Sequence, residues 1–243
     1  MATELVRTAW PAVPADGALV LVPVGSTEQH GPHLPLSTDS VIAEAVATRA
    51  AARLPGPVLV APTISYGNSG EHAGFPGTLS IGHEALKLVL TETVRSLALW
   101  ASRTVFVNGH GGNVRALDEA VGQLRAEGHD VAWAGCVFPG GDAHAGRSET
   151  SVMLHLAPGD VDPAAAAAGD TRPIAELMPE LIAGGVRSVA PNGVLGDPAG
   201  SSAREGRELI DALVAATVRR VVAAAPDRRG RLTDPAPAAA ASR

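Results

Sequence analysis

The stretch Gly25 to Asp39, GSTEQHGPHLPLSTD, carries Glu28, His30, His33 and Asp39 on a backbone interrupted by prolines and glycines. Glu28 and His30 are one residue apart, so an extended chain points both side chains to the same side. Three further stretches gather similar groups: Tyr66, Ser69, Glu71 and His72; then Asn108, His110 and Asn113 in NGHGGN; then Asp142, His144 and Glu149 in DAHAGRSE. Carboxylates and imidazoles without thiolates suit Zn, Fe(II) or Mn. Taken singly, each residue has a plainer reading. Asp39 could cap a helix, Glu28 could be a surface charge and His33 a loop histidine, while Ser148 could cap a helix that Glu149 stabilises through its dipole. Together, ionisable groups clustered on proline-fixed turns favour a bound cation.

Two other chemistries are weaker. NGHGGN reads as a strand-to-helix glycine loop that could cradle a phosphate, yet it matches neither GxGxxG nor a Walker A sequence. Its glycines instead let the backbone approach whatever His110 touches. Ser26 and Cys136 are conceivable nucleophiles, but neither lies in a GxSxG elbow, and Cys136 falls within an apolar strand. A water activated by metal is the better nucleophile.

Apolar runs rich in valine and leucine, Ala18–Val24, Pro57–Ala61, Thr104–Asn108 and Asp130–Val137, read as buried strands. Helical periodicity fills the gaps at Ser40–Arg53, His83–Ser102 and Arg115–Glu127, and recurs at Thr150–Leu156 and Ala203–Ala225. The alternation predicts a three-layer α/β/α sandwich on a mainly parallel sheet. All four polar clusters then fall at the carboxyl ends of strands, where open α/β sheets bind ligands. Ala164–Ala168 reads as helical surface. One domain is expected over residues 1–230, with a disordered tail at 231–243.

A hydrophobic share of 46% over 243 residues supplies a sizeable core. The net charge of -6 and the lack of Lys/Arg clusters argue against a nucleic acid partner. The single cysteine forbids an internal disulfide. Neither a signal peptide nor an apolar run of membrane-spanning length is apparent, so a cytoplasmic protein without a membrane partner is expected.

In order and spacing, PVGSTEQHGPHLPLSTD, GNSGEHAGFPGTLSIG, FVNGHGGN and DAHAGRSETS resemble the creatininase family of metal-dependent amidohydrolases, from about Val20 to Ser151 and more weakly through NGVLGDP to the last helix. The resemblance implies an α/β/α sandwich, a homo-oligomer, and two divalent ions per subunit, Zn or Fe(II) with Mn also suited. It places Glu28 and His110 on one ion, His30 on the other and Asp39 between them. Creatininase itself completes its second metal with a glutamate two residues after the NGH histidine; that position is Gly112 here, and Glu149 takes the vacancy. His144 carries over as the proton shuttle, so His144 and Glu149 are the expected catalytic pair. Ser69, Glu71 and His72 line the pocket, and the Gly111 and Gly112 amides face the developing oxyanion.

Two departures bear on the substrate. Ala143 stands where creatininase has an acidic residue, and PGGDAHAG lacks the aromatic residues that sandwich creatinine. Creatinine is thus a poor candidate, and an open pocket suits a peptide. Within the family the chain looks most like a peptidase branch that trims a modified precursor peptide. The rival readings are a creatinine or formamide amidohydrolase of the same family, a metal-binding scaffold without catalysis, and a nucleotide-binding module.

Overall fold

The computed structural model describes residues 3–14 and 16–234. Five strands form one sheet: β1 (Thr3–Glu4), β2 (Ala18–Val24), β3 (Val58–Val60), β4 (Ala101–Asn108) and β5 (Val131–Gly135). Their spatial order is β1-β3-β2-β4-β5, and every pairing is parallel. The interleaved helices are α1 (Thr38–Ala51), α2 (His83–Leu97), α3 (Val114–Ala126), α4 (Arg147–Leu156), α5 (Ile174–Gly184), α6 (Val186–Val189) and α7 (Ala203–Ala223).

The period of two along each strand sorts its side chains between two cores. Leu21, Val105, Val107, Ala132 and Ala134 pack with residues of α1, α4 and α7. Val20, Val22, Val24, Phe106 and Trp133 pack with residues of α2 and α3 on the other face. Both faces are covered, which is why the strands are apolar throughout and not alternating. The three-layer sandwich is thus the observed architecture.

The chain leaves β2 toward β3 on one side, then returns across β2 to β4 and β5 on the other. This reversal opens a crevice beyond the carboxyl ends of β2 and β4, where Val24 and Asn108 lie in register. Two glycines let the start of α1 press into that crevice. A side chain at Gly25 would strike Ser40, and one at Gly109 would strike the main-chain oxygen of Asp39.

Several sequence boundaries move. α1 begins at Thr38, so Asp39 lies inside its first turn; α4 begins at Arg147, so Ser148 does not cap it. Asp142 does this instead, accepting hydrogen bonds from the main-chain N–H groups of Arg147 and Ser148. Ala164–Ala168 is turn and coil, not helix. The elements expected from sequence include neither the two-residue β1 nor the α5–α6 pair, where Pro179 stands inside α5.

Residues 231–234, expected to begin the tail, are built into the fold. Leu232 is buried, its N–H donating to the Trp133 carbonyl at 2.7 Å, and Arg231 lies over the Trp133 ring. Arg219 and Arg220 hold Asp234. The rest of the expected tail, 235–243, lies outside the described residues. Leu232→Ala should therefore lower the unfolding free energy by about 2–4 kcal/mol in a denaturant titration, as for a buried leucine, whereas a residue in a loose tail would change it by under about 0.5 kcal/mol.

Candidate metal centre

Loops after β2, β4 and β5, together with the first turns of α1 and α4, bring Glu28, His30, Asp39, His110, His144 and Glu149 to one place. Glu28 and His30 are fully buried, and Asp39 and His110 nearly so. His110 Nδ1 lies 3.2 Å from Asp39 Oδ2, and its Nε2 lies 3.1 Å from Glu28 Oε2. His30 Nε2 is 3.1 Å from Asp39 Oδ1 and 4.0 Å from Glu149 Oε2. Asp39 therefore stands between the two groups, with Ser26 donating to its Oδ2 at 2.7 Å.

Potential ligand atoms of Glu28, Asp39 and His110 all lie within 4.8 Å of one another, as do those of His30, His144 and Glu149, and those of Glu28, His72 and His144. Glu28 supplies the test of fit. Both of its carboxylate oxygens are buried without a hydrogen bond, since the neighbouring imidazoles are close but not aligned to donate. A buried carboxylate left so is costly unless a cation takes it up. Main-chain carbonyls then fix the rings: His30 Nδ1 faces the Glu28 oxygen at 3.1 Å and His110 Nε2 faces the Asn68 oxygen at 3.0 Å. In the neutral rings this leaves His30 Nε2 and His110 Nδ1 unprotonated and turned to Asp39. The residues fit divalent cations.

Without a cation, protons supply the positive charge. Burial alone would depress His30, but the charge and hydrogen bond of Asp39, with Glu149 and Glu28 behind, raise it to about 10. His110 likewise overcomes burial, chiefly through the Glu28 charge and the Asp39 hydrogen bond, and also reaches about 10. Burial pushes Glu28 and Glu149 up to about 7 against the opposing charges of His110 and His30. Asp39 is held well below the usual carboxylate range because His30 and His110 outweigh its burial. Burial, then the charges of neighbouring histidines, keep His72 and His144 neutral, His72 at about 3.

Of the expected pocket residues, Ser69 is fully buried and His72 nearly so. Neither forms an accessible wall: Ser69 Oγ is 3.5 Å from His110 Nε2, and His72 Nε2 is 3.2 Å from Glu28 Oε1. Glu71 is the accessible member, its side chain 33% exposed and its Oε1 3.6 Å from His110 Nε2. A side chain at Gly112 would meet Glu71 Oε1, His110 Nε2 and the Asn68 oxygen. Gly112 thus leaves a slot that Glu71 fills on the His110 side, while Glu149 stands on the His30 side. Gly111 has open space around it.

His144 is clamped by antiparallel bridging to Leu195. Ala145 beside it holds the left-handed φ of 53° and donates its N–H to Glu149 Oε2 at 2.6 Å. Such a conformation costs a non-glycine residue about 1–2 kcal/mol. His33 instead joins the β2 loop to α4 through Thr150 at 2.9 Å. Sequence reasoning missed Gln29, whose amide touches both His72 and His144. Its position between Glu28 and His30 was the available signal.

A parallel α/β/α sandwich with acidic and imidazole groups at its carboxyl edge defines a metallohydrolase-like protein. The creatinine amidohydrolase family model matches residues 5–221, and the chain belongs to the creatininase family. It is 53% identical to the mycofactocin precursor peptide peptidase of Mycobacterium tuberculosis over 91% of each chain. It is 33% identical to the creatinine amidohydrolase of Pseudomonas putida over 62% of this chain and 68% of that one. Among solved structures, a creatininase crystal structure superposes with a TM-score of 0.72 at 27% identity, covering 88% of this chain and 94% of that one. A mutant creatininase of Zn-Zn type does so with a TM-score of 0.72 at 26% identity, covering 88% and 95%. The chain is thus a hydrolase of a metal-dependent, amide-cleaving family.

A pH dependence of stability follows for the metal-free protein. His30 and His110 keep their protons to about 10 when folded but release them near 6.5 when unfolded, so their stabilisation is complete below 6.5 and lost as pH rises through 10. Glu28 and Glu149, raised from 4.5 to about 7, lose theirs earlier in the same direction. The melting temperature of chelator-treated protein should fall between pH 7 and 10, and added zinc should restore it; a flat profile contradicts the charge balance described.

Proposed function

We propose that the chain is a peptidase that cleaves a modified mycofactocin precursor peptide and releases its C-terminal dipeptide, using two divalent ions. Glu28, Asp39 and His110 would hold one ion, and His30, Asp39 and Glu149 the other. The observation that carries this reading is the buried, hydrogen-bond-free carboxylate of Glu28 beside His110 and Asp39. The relatives named as precursor peptide peptidases support the substrate. The segment from Phe138 to Gly146 brings neither tryptophan nor tyrosine to clamp a flat ring, which favours a peptide over creatinine.

Bound divalent ions supply Lewis acidity, activating water and polarising the scissile carbonyl. The remaining work falls to the chain. Asp39 ties the two ligand groups together, and its place in the first turn of α1 sets its carboxylate near the positive end of that helix. His144, held neutral beside the cluster, takes up a proton and passes it to the departing amine. The Gly111 amide would donate to the oxygen on which negative charge develops, a contribution of about 3 kcal/mol per donor, and a side chain at that glycine would meet no neighbouring atom. Glu71, at the accessible rim, meets the peptide. Zn and Fe(II) are the proposed metals, with Mn also suited to the donors. The chain is proposed to act as one catalytic domain that takes in the packed residues 231–234, in a homo-oligomeric cytoplasmic protein. Among the described residues no helix is long and apolar enough to cross a membrane.

Incubation of metal-loaded protein with the modified precursor, with creatinine and with a formamide substrate tests the assignment; release of a dipeptide from the precursor alone is expected, and turnover of only one of the other two would refute it. His110→Ala should abolish cleavage and lower bound metal in elemental analysis. His144→Ala should lower kcat by about 100-fold or more with metal content unchanged. Metal loss in the His144 variant would make that ring a ligand and not a proton carrier.

A further inference from the structure

Gln29 is nearly buried between Glu28 and His30, and main-chain groups determine which way its amide faces. Gly31 N–H donates to Oε1 at 2.8 Å, while Nε2 donates to the Gly193 carbonyl at 3.0 Å. An N–H can only donate and a carbonyl can only accept, so the amide cannot be reversed. Gly193 makes this packing possible: it holds φ 80°, and a side chain there would collide with the Gln29 amide.

One hydrogen on Nε2 remains, and two rings lie within reach, His72 Nδ1 at 2.8 Å and His144 Nε2 at 3.0 Å. His144 Nε2 also faces the Gln29 main-chain oxygen at 2.8 Å, which only accepts. His144 must therefore carry its proton on Nε2, and the free Gln29 hydrogen goes to His72 Nδ1. His72, accepting at Nδ1, carries its own proton on Nε2, the atom 3.2 Å from Glu28 Oε1. The 3.0 Å approach of Gln29 Nε2 to His144 Nε2 is then proximity, with each hydrogen committed elsewhere.

We infer that Gln29 is a positioning residue that sets the tautomers of both histidines. His72 carries its proton on Nε2, close to Glu28 but not aligned to donate to it, and is not a metal ligand, which removes the Glu28–His72–His144 group as a cation site. His144 is left with an unprotonated Nδ1 directed toward the cluster, 3.9 Å from Glu28 Oε1, as the atom that takes up a proton. The last step rests on the hydrolase reading; the tautomers themselves do not.

Nitrogen NMR of zinc-loaded, histidine-labelled full-length protein reads the tautomers directly, with signals assigned through His72→Asn and His144→Asn. The wild type should give a pyridine-type Nδ1 and a pyrrole-type Nε2 for His72, and a pyrrole-type Nε2 for His144. Gln29→Glu offers His72 an acceptor instead of a donor, so the pyridine-type Nδ1 signal of His72 should be lost. Gln29→Met, which can donate to neither ring, should leave His72 without a single fixed tautomer. A protonated His72 Nδ1 in the wild type, or a His72 pattern untouched by both substitutions, overturns the inference. The wild-type spectrum decides alone if a variant does not fold, and it holds whether or not the protein cleaves a peptide.

Discussion

Like charges held together out of water are the constraint on which this structure turns. Glu28, Asp39 and Glu149 converge at the end of the sheet, with Glu71 at their edge, and Glu28 has no hydrogen bond to offset its burial. Such a cluster is stable only if its negative charge is offset, by protons on the raised carboxyls of Glu28 and Glu149 or by positive charge supplied among them. Two imidazoliums can do so, and so can divalent cations, which bring more charge without needing aligned N–H groups. The site is therefore poised to exchange protons for metal, and this exchange links its stability to its chemistry.

The fold serves that constraint through backbone approach. Glycine at positions 25 and 109 allows the first turn of α1 to reach the ends of β2 and β4, which delivers Asp39 to both ligand groups. Asn113 secures the same junction, donating to the Gly25 carbonyl at 2.8 Å and accepting from the Asn68 N–H at 2.9 Å. Gly112 leaves room for Glu71, and Gly193 leaves room for Gln29. Glycines here fix distances between segments, and the ionisable groups depend on those distances.

Much of this was legible in the sequence because it rests on local pattern. Apolar strand runs alternating with helical periodicity specify the layers, and polar clusters following each strand specify the edge. What escaped reading was nonlocal. Asp142 looks like a partner of His144 in DAHAGRSE, yet it spends both oxygens on the N-terminus of α4. Ala164–Ala168 has the composition of a helix but lies in turns. Leu232 sits in a polar, proline-flanked segment and is nonetheless buried against β5. Gln29 looks like a spacer between two ligands until Gly193, distant in sequence, is brought to its amide.

Anomalous diffraction from zinc-loaded crystals is the most direct test of the central claim. The account predicts scattering maxima between Glu28, Asp39 and His110 and between His30, Asp39 and Glu149, with His72 outside both coordination spheres. Maxima elsewhere, or a cluster that stays free of metal while the protein remains active, would contradict it.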